Sequence, residues 1–335
     1  MIETDWLDKP YYSLNAYFKH TYGEKIYKIA VNAGLTCPNR DGTLDTRGCI
    51  FCSAGGSGDF AVDIGNGVYH KEFEGRENNN RKVIDVSRQI ERGMAKFNKN
   101  VGEKFVIYFQ AYTNTYGDVA YLRMIWEEAL KHDFVVGISI ASRPDCLGED
   151  VLGVLSDLKK LYSAKFIWIE LGLQTIHEVS AAYIRRHYTL DVYEQAVSEL
   201  NKLNIPFITH VILGLPGETK DMMLETIRYV NNYGNPFGIK LQLLHVLKGT
   251  DLADDYLNSN FEVLSQEDYI DIVIDCLRSL SPKIVIHRVT GDGPKSLLIA
   301  PLWSANKRGV LNTLHSKMKR INACQGDKFN SIESY

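Results

Sequence analysis

Three of the six cysteines, Cys37, Cys49 and Cys52, fall within one glycine-rich stretch, NAGLTCPNRDGTLDTRGCIFCSAGGSGDF, residues 32–60. Cys146, Cys276 and Cys324 are scattered and alone. Clustered thiols at this spacing, with Cys49 and Cys52 forming a C-x-x-C, are suited to holding a metal centre. A structural zinc needs four ligands to close its tetrahedron, and the nearest candidate fourth is His70, eighteen residues beyond Cys52. An iron–sulfur cluster is also bound by thiolates, and three of them leave one iron open to another ligand. Three cysteines with no adjacent fourth ligand suit the open cluster better, although both readings stand on spacing alone. Gly42, Gly48, Gly55, Gly56 and Gly58 let the backbone turn tightly around a bulky inorganic group.

The elements that must position these thiols can be read from the apolar pattern. The chain has 335 residues, 45% hydrophobic, with a formal charge of −3. That suffices for one large α/β domain whose core needs no disulfide staples. Strand-like runs are expected at Ile26–Val31, Phe105–Gln110, Val135–Ala141, Phe166–Leu171, Phe207–Leu213, Ile239–Val246 and Lys283–His287. Most are nearly continuous apolar runs, as in strands buried on both faces. Helical stripes lie between them, among them Val83, Val86, Ile90, Met94 and Phe97, and Val192, Ala196, Val197, Leu200 and Leu203. Repeated strand–helix units require right-handed crossovers and a parallel sheet. The fold class is therefore α/β, a partial or full TIM-type β/α barrel with a C-terminal helical extension; a doubly wound sheet is the alternative. The division is an N-terminal extension over 1–25, a core barrel over 26–282, and a C-terminal strand and basic amphipathic helix over 283–335. Residues 53–82 read as a mobile insertion beside the cysteine loop.

In such a barrel, chemistry sits on the loops after the strands. The cysteine stretch follows the first strand, QAYTNTY (110–116) the second and SRPD (142–145) the third; ELGLQT (170–175) closes the fourth and LGLPGET (213–219) the fifth. The unusual polar and glycine residues thus share one rim, where a structural zinc has no reason to be. Glu170 stands in the apolar run FIWIELGL, and a buried carboxylate is costly without a partner.

Charge is uneven along the chain. Residues 283–328 carry nine basic side chains against two acidic ones, a net +7, so the rest nets −10. The end of the chain reads as one amphipathic helix over Ser304–Asn322, with Val310, Leu311, Leu314, Met318 and Ile321 as its apolar stripe. Lys307, Arg308, Lys317, Lys319 and Arg320 would then face outward, as candidate contacts to a polyanion or as a solvated face. Met1 to Tyr12 is charged and aromatic, without the apolar core of a signal peptide, and no stretch reaches the length of a membrane span, so a cytoplasmic location and no membrane partner are expected.

The C-x-x-aromatic-C after the first strand of a β/α barrel resembles the radical S-adenosylmethionine (SAM) superfamily. CPNRDG, FQAYTNTY, SRPDCL, ELGLQT and GLPGET, with TGDGPKSLLIAPLWSANKRGVLN (290–312), resemble its YtqA/YhcC group, related to the radical domain of the elongator catalytic subunit. The eleven-residue gap between Cys37 and Cys49 is wider than the superfamily's common first spacing, and no acetyltransferase domain follows. The resemblance implies that Cys37, Cys49 and Cys52 hold a 4Fe–4S cluster whose open iron chelates SAM, with an electron donor such as flavodoxin or ferredoxin. It implies cofactor contacts from Phe51, Gln110, Asn114, Arg143, Glu170, Gln174, Gly214, Pro216 and Gly217. Cys146 could be a catalytic or merely a buried thiol, and RRH (185–187) could meet a cofactor carboxylate or a phosphate, or be an exposed helix end.

Part of that group, under the name MnmL, is assigned to tRNA wobble-uridine modification. For an MnmL-like chain the expected reaction converts 5-carboxymethylaminomethyluridine to 5-aminomethyluridine in tRNA, and the substituent's carboxylate would want a cation such as Arg185, Arg186 or Lys240. The alternatives are radical chemistry on a small metabolite or tetrapyrrole, and a zinc-stabilised nucleic-acid-binding protein.

Overall fold

The computed structural model describes residues 6–7, 9–56, 85–97, 102–291 and 293–329. His70, Gly58, Val83 and most of the expected 53–82 insertion lie outside the described residues. The strands are β1 (Tyr27–Val31), β2 (Phe105–Phe109), β3 (Val135–Ser142), β4 (Phe166–Gln174), β5 (Phe207–Leu213), β6 (Gly238–Leu243), β7 (Val246–Leu247), β8 (Val285–Arg288) and β9 (Leu298–Ala300). The helices are α1 (Leu14–Tyr22), α2 (Val86–Met94), α3 (Val119–Leu130), α4 (Glu149–Leu161), α5 (Glu178–Tyr183), α6 (Leu190–Lys202), α7 (Lys220–Asn232), α8 (Asp251–Leu257), α9 (Gln266–Ser279) and α10 (Lys307–Arg320).

Seven strands form one sheet in the order β1-β2-β3-β4-β5-β6-β8, every neighbouring pair parallel. The order ends at β1 and β8 without pairing them, so the partial form of the expected barrel is the one adopted. The helices begin where short polar side chains cap their free N–H groups: Asp118 before α3, Thr219 before α7 and Ser265 before α9.

Strand alternation sends Ile29, Ile107, Ile138, Ile169, Val211 and Leu241 outward under the helices, all essentially solvent-free. The residues between them face the hollow of the half-barrel in layers. The lower layer is apolar: Val106, Trp168 and Ile208. Phe18 of α1 closes it from below, its ring stacked 5.8 Å from that of Trp168 and 6.3 Å from that of Phe166. The segment before α1 is tied to the edge strand, where Ile286 N donates to Tyr12 O at 2.8 Å and Ser13 bridges Ile286. The N-terminal segment is thus the floor plate of the hollow.

Two elements differ from the sequence expectation. The run Ile239–Val246 is not one strand: β6 stops at Leu243, and β7 turns away to pair antiparallel with β9. The terminal helix is shorter than Ser304–Asn322. Residues Leu302–Ala305 make a 3-10 turn, and Asn306 caps α10 by accepting from Gly309 N at 3.1 Å. Ile321 lies past its end and is 46% exposed, so the buried stripe is Val310, Leu314 and Met318.

Replacing Phe18 with alanine should therefore cost about 3 kcal/mol, the usual range for a large aromatic lost from a packed site. Urea unfolding measures this; a loss under about 1 kcal/mol would mean that α1 is not the structural floor.

Candidate active site

Behind β1 the chain forms a loop held by its own backbone. Arg40 N donates to Cys37 O at 2.8 Å, Gly48 N to Asn39 O at 2.7 Å, and Cys52 N to Cys49 O at 3.0 Å. The Arg40 guanidinium crosses the loop to Cys52 O and Ser53 O at 2.8 and 2.7 Å. Gly48 is required there: its φ is +79°, and a Cβ would stand 2.7 Å from Arg40 Nε.

The RRH segment clamps this loop. Arg185 O accepts from Asn39 Nδ2 at 2.8 Å, and Ile50 N donates to Ile184 O at 3.3 Å. Arg185 pairs with Asp251 at 2.5 Å, and His187 lies 3.4 Å from Asp45. Arg186 is 2% exposed and spends its guanidinium on Leu173 O, Thr175 O, Tyr188 O and the Glu178 carboxylate. Arg186 is thus spent on the fold, while Arg185 keeps one buried guanidinium nitrogen, Nη1, without a hydrogen-bond partner.

All three thiols border one cavity of about 260 Å³ that descends into the half-barrel. Asn39 Nδ2 donates to Cys49 Sγ at 3.3 Å. The Cys52 hydrogen bond, with the field of Arg143, brings the Cys49 thiol down to about 7, while that bond and burial push Cys52 up. Burial raises Cys37 as well. One thiolate-prone sulfur beside two cations and an amide donor is the environment in which thiols bind metal. Among the described residues no three His, Cys, Asp or Glu side chains converge as they would around a single ion. A cluster lets each thiolate hold its own iron.

Beneath the thiols lies a layer of charge. Glu170 is 1% exposed, and its carboxylate accepts from Lys28 Nζ at 3.1 Å, Ser139 Oγ at 2.6 Å, His210 Nε2 at 2.8 Å and Lys240 Nζ. Burial alone would raise its carboxyl, but Lys240, Lys28 and His210 reverse the sign and hold it well below the ordinary range. Burial and Lys240 bring His210 down to about 4, so its ring is neutral, donating from Nε2 to Glu170 and accepting at Nδ1 from Gln242. Burial lowers Lys240 to about 7, against the pull of Glu170 and with repulsion from Lys28 and Arg288.

A model described as the radical SAM superfamily matches residues 44–230, and one described as the radical SAM C-terminal domain matches 236–320. The chain belongs to the radical SAM superfamily. It is 41% identical to YtqA of Bacillus subtilis over 97% of this chain and 95% of that protein, and 30% identical to YhcC of Escherichia coli K12 over 85% of each. A tRNA uridine(34) acetyltransferase of Methanocaldococcus jannaschii is 25% identical over 51% of this chain and 31% of its own. Among solved structures, Methanocaldococcus infernus Elp3 superposes with a TM-score of 0.62 at 14% identity, covering 90% of this chain and 64% of that one; this shows the shared fold. The resemblance to the YtqA/YhcC group is thereby borne out. No described helix is long and apolar enough to cross a membrane.

In this radical SAM chain, Phe51, Gln110, Arg143, Glu170 and Gln174 line the cavity with the thiols. Gln174 marks a bulge in β4 with φ +63°, and its Oε1 accepts from Tyr188 at 3.2 Å. The fork of Arg143 is engaged by Asp145 of its own SRPD motif, at 2.9 and 2.6 Å. Asn114 is fully buried behind the wall, bracing the second and third loops through Ala111 O and Ala141 O, and its Oδ1 has no partner. Gly214, Pro216 and Gly217 do not border the cavity. They turn the chain from β5 into α7, with φ of +87° and +81° at the two glycines. Burial, with Asp145 beside it, pushes the Cys146 thiol far up and leaves it inert at neutral pH.

Sequence reasoning missed Tyr108, His210, Gln242 and Arg288 as cavity residues. For two of them the signal was present: FITHVIL and GIKLQL place His210 and Gln242 inside largely apolar strands, the pattern that singled out Glu170.

Glu170→Gln should cost about 3 kcal/mol, because it strands two ammonium groups in the hollow. Adding Lys240→Met should recover part of that loss in urea unfolding, and a single variant as stable as wild type would show that the network is slack.

Proposed function

We propose that this chain uses a 4Fe–4S cluster and SAM to convert 5-carboxymethylaminomethyluridine to 5-aminomethyluridine at the wobble position of tRNA. The observation that carries the reading is the loop of three thiols over a deep cavity with charged residues on its floor, with a cationic lip beside it. Cys37, Cys49 and Cys52 would hold the cluster, and the donor set fits: three sulfurs on one cavity wall, an amide aimed at one of them, and Arg143 and Arg40 supplying positive field. When bound, this pair would supply one-electron cleavage of SAM and hydrogen abstraction from the substrate; release of the carboxymethyl group with water as a two-carbon aldehyde acid is a two-electron oxidation, matched by reduction of SAM to methionine and 5′-deoxyadenosine. Phe51, Gln110, Arg143 and Gln174 are the residues placed to bind and orient SAM, while Asn114 holds the loops that carry two of them. The turn at Gly214–Gly217 serves the fold. An electron donor of the flavodoxin or ferredoxin kind completes the requirement.

The tRNA assignment draws on the acetyltransferase relative, whose name specifies tRNA uridine 34, and on the placement of the basic C-terminal end. Lys295, Lys307 and Arg308 border a second hollow that shares Gly293 with the main cavity. Lys319 and Arg320 are exposed at the other end of α10, about 18 Å away along its axis. Lys317 is spent differently, on Asp271 of α9 at 2.5 Å. The lip beside the cavity is thus the better phosphate contact, and the far end can extend it.

The decisive test is anaerobic. Protein reconstituted with iron and sulfide receives reductant, SAM and tRNA bearing 5-carboxymethylaminomethyluridine, and the digested nucleosides are weighed by mass spectrometry. Loss of that nucleoside matched by 5-aminomethyluridine is expected. Serine at position 37, 49 or 52 should abolish both the product and the content of about four irons per chain. Production of 5′-deoxyadenosine with unaltered tRNA would discard the substrate and keep the radical chemistry. One zinc per chain and no iron would discard both.

A second measurement addresses the lip. The double variant Lys307→Gln with Arg308→Gln should weaken tRNA binding about tenfold at fixed salt and flatten its salt dependence by about two charges. The pair Lys319→Gln with Arg320→Gln should do less, and equal effects from both pairs would argue against a lip at the cavity.

A further inference from the structure

The floor of the cavity holds more positive charge than its one acid can balance. Two hollows meet there. The first descends from the thiols; the second opens at the seam between the edge strands β1 and β8, bordered by Lys28, Lys96 and His287. They share Tyr108, Gln110, Lys240 and Arg288. Among the described residues bordering either hollow, Glu170 is the only carboxylate. Its two oxygens already accept four donors, about as many as a carboxylate can take. It can neither act as a base nor accept more from the substrate.

Lys240 is the counterpart. It is 4% exposed, and its ammonium gives one N–H to Glu170 and one to Tyr108 Oη at 3.2 Å. An ammonium has three N–H groups, so one remains with no described partner. The neutral His210 and Ser139 add no charge, and Arg143 and Arg186 are matched by Asp145 and Glu178. The Lys28 and Lys240 ammonium groups therefore face one carboxylate where the two hollows meet. Such an excess in low dielectric is relieved by an anion.

We propose that Lys240, supported by Lys28, is the subsite that receives a carboxylate of the substrate. This rests on the reading above and deepens it: the acid carried by the uridine substituent seats on the floor, while the methylene beside the amine stays nearer the thiols. Of the other cations considered from sequence, Arg186 is committed to buried carbonyls and Glu178, and Arg185 pairs with Asp251 and is not among the residues bordering the cavity. Lys240 is a substrate-binding residue, and a substrate lacking the acid should lose the contact.

The test compares two probes on the reconstituted enzyme: tRNA bearing 5-carboxymethylaminomethyluridine, and the same tRNA with that carboxylate converted to the primary amide. Wild type should prefer the acid by at least about tenfold in Kd, the range of one charge-assisted hydrogen bond. Lys240→Met should shrink the preference for the acid over the amide below about threefold. Lys240→Arg should restore part of the preference, and Glu170→Gln with Lys240→Met guards against a variant that fails to fold. An undiminished preference in Lys240→Met, or none in wild type that still converts the acid, overturns the inference. If wild type binds neither tRNA, the tRNA reading fails by itself. N-methylglycine and its amide, titrated calorimetrically into wild type and Lys240→Met, then decide the floor. Acid-selective binding lost in the variant upholds it, and no binding of the acid sinks it.

Discussion

Glu170 is the group around which the interior is organised. A carboxylate without exposure demands partners, and it draws them from four strands, one of them an edge of the sheet: Lys28 from β1, Ser139 from β3, His210 from β5 and Lys240 from β6. The strands that contribute are thereby held in register from inside as well as by their backbone ladders. The same demand divides the hollow into two. Below the charge layer it is filled by aromatic and aliphatic side chains and closed by Phe18. Above it, the space stays open beneath the thiols.

The cysteine loop depends on a different kind of constraint. It carries little secondary structure, and its shape comes from cations whose charge is used locally. Arg40 spans the loop's own carbonyls, Arg185 fastens its outer side to Asp251 in α8, and Asn39 joins the loop to Arg185 O. Arg143 is aligned by Asp145 before any ligand arrives, so its field at Cys37 and Cys49 is set in advance. Preorganised charge of this sort costs no rearrangement when a ligand binds. The interior charge layer and the loop clamps therefore serve one cavity from opposite sides.

The C-terminal third combines packing with charge. α10 lies on α9 through Val310, Leu314 and Met318 and through the Lys317–Asp271 pair. The loop before it reaches the cavity wall, where His245 Nε2 meets Ser304 Oγ at 3.1 Å. A helix that looks like an independent basic appendage in sequence is thus fixed to the core, with one end beside the cavity.

Much of this was legible in the chain itself. The apolar runs located all seven strands of the main sheet, because strands buried on both faces leave a dense hydrophobic signature whatever their neighbours. The strand–loop alternation placed the thiols on the catalytic rim, since parallel strands must deliver their following loops to the same side. The buried carboxylate was visible from its context alone. What needed the folded molecule was every pairing made across strands. The sequence could not choose among Arg185, Arg186 and Lys240, because each is a cation near a motif; proximity to Asp251, to buried carbonyls or to an open hollow separates them. It left Gly214, Pro216 and Gly217 open between a cofactor contact and a plain turn; the folded chain places them between β5 and α7. It drew Lys317 into an outward basic face because helical periodicity cannot report an acidic neighbour on another helix. Local order is written in spacing, but the fate of a charge is decided by what folding brings within a few ångströms of it.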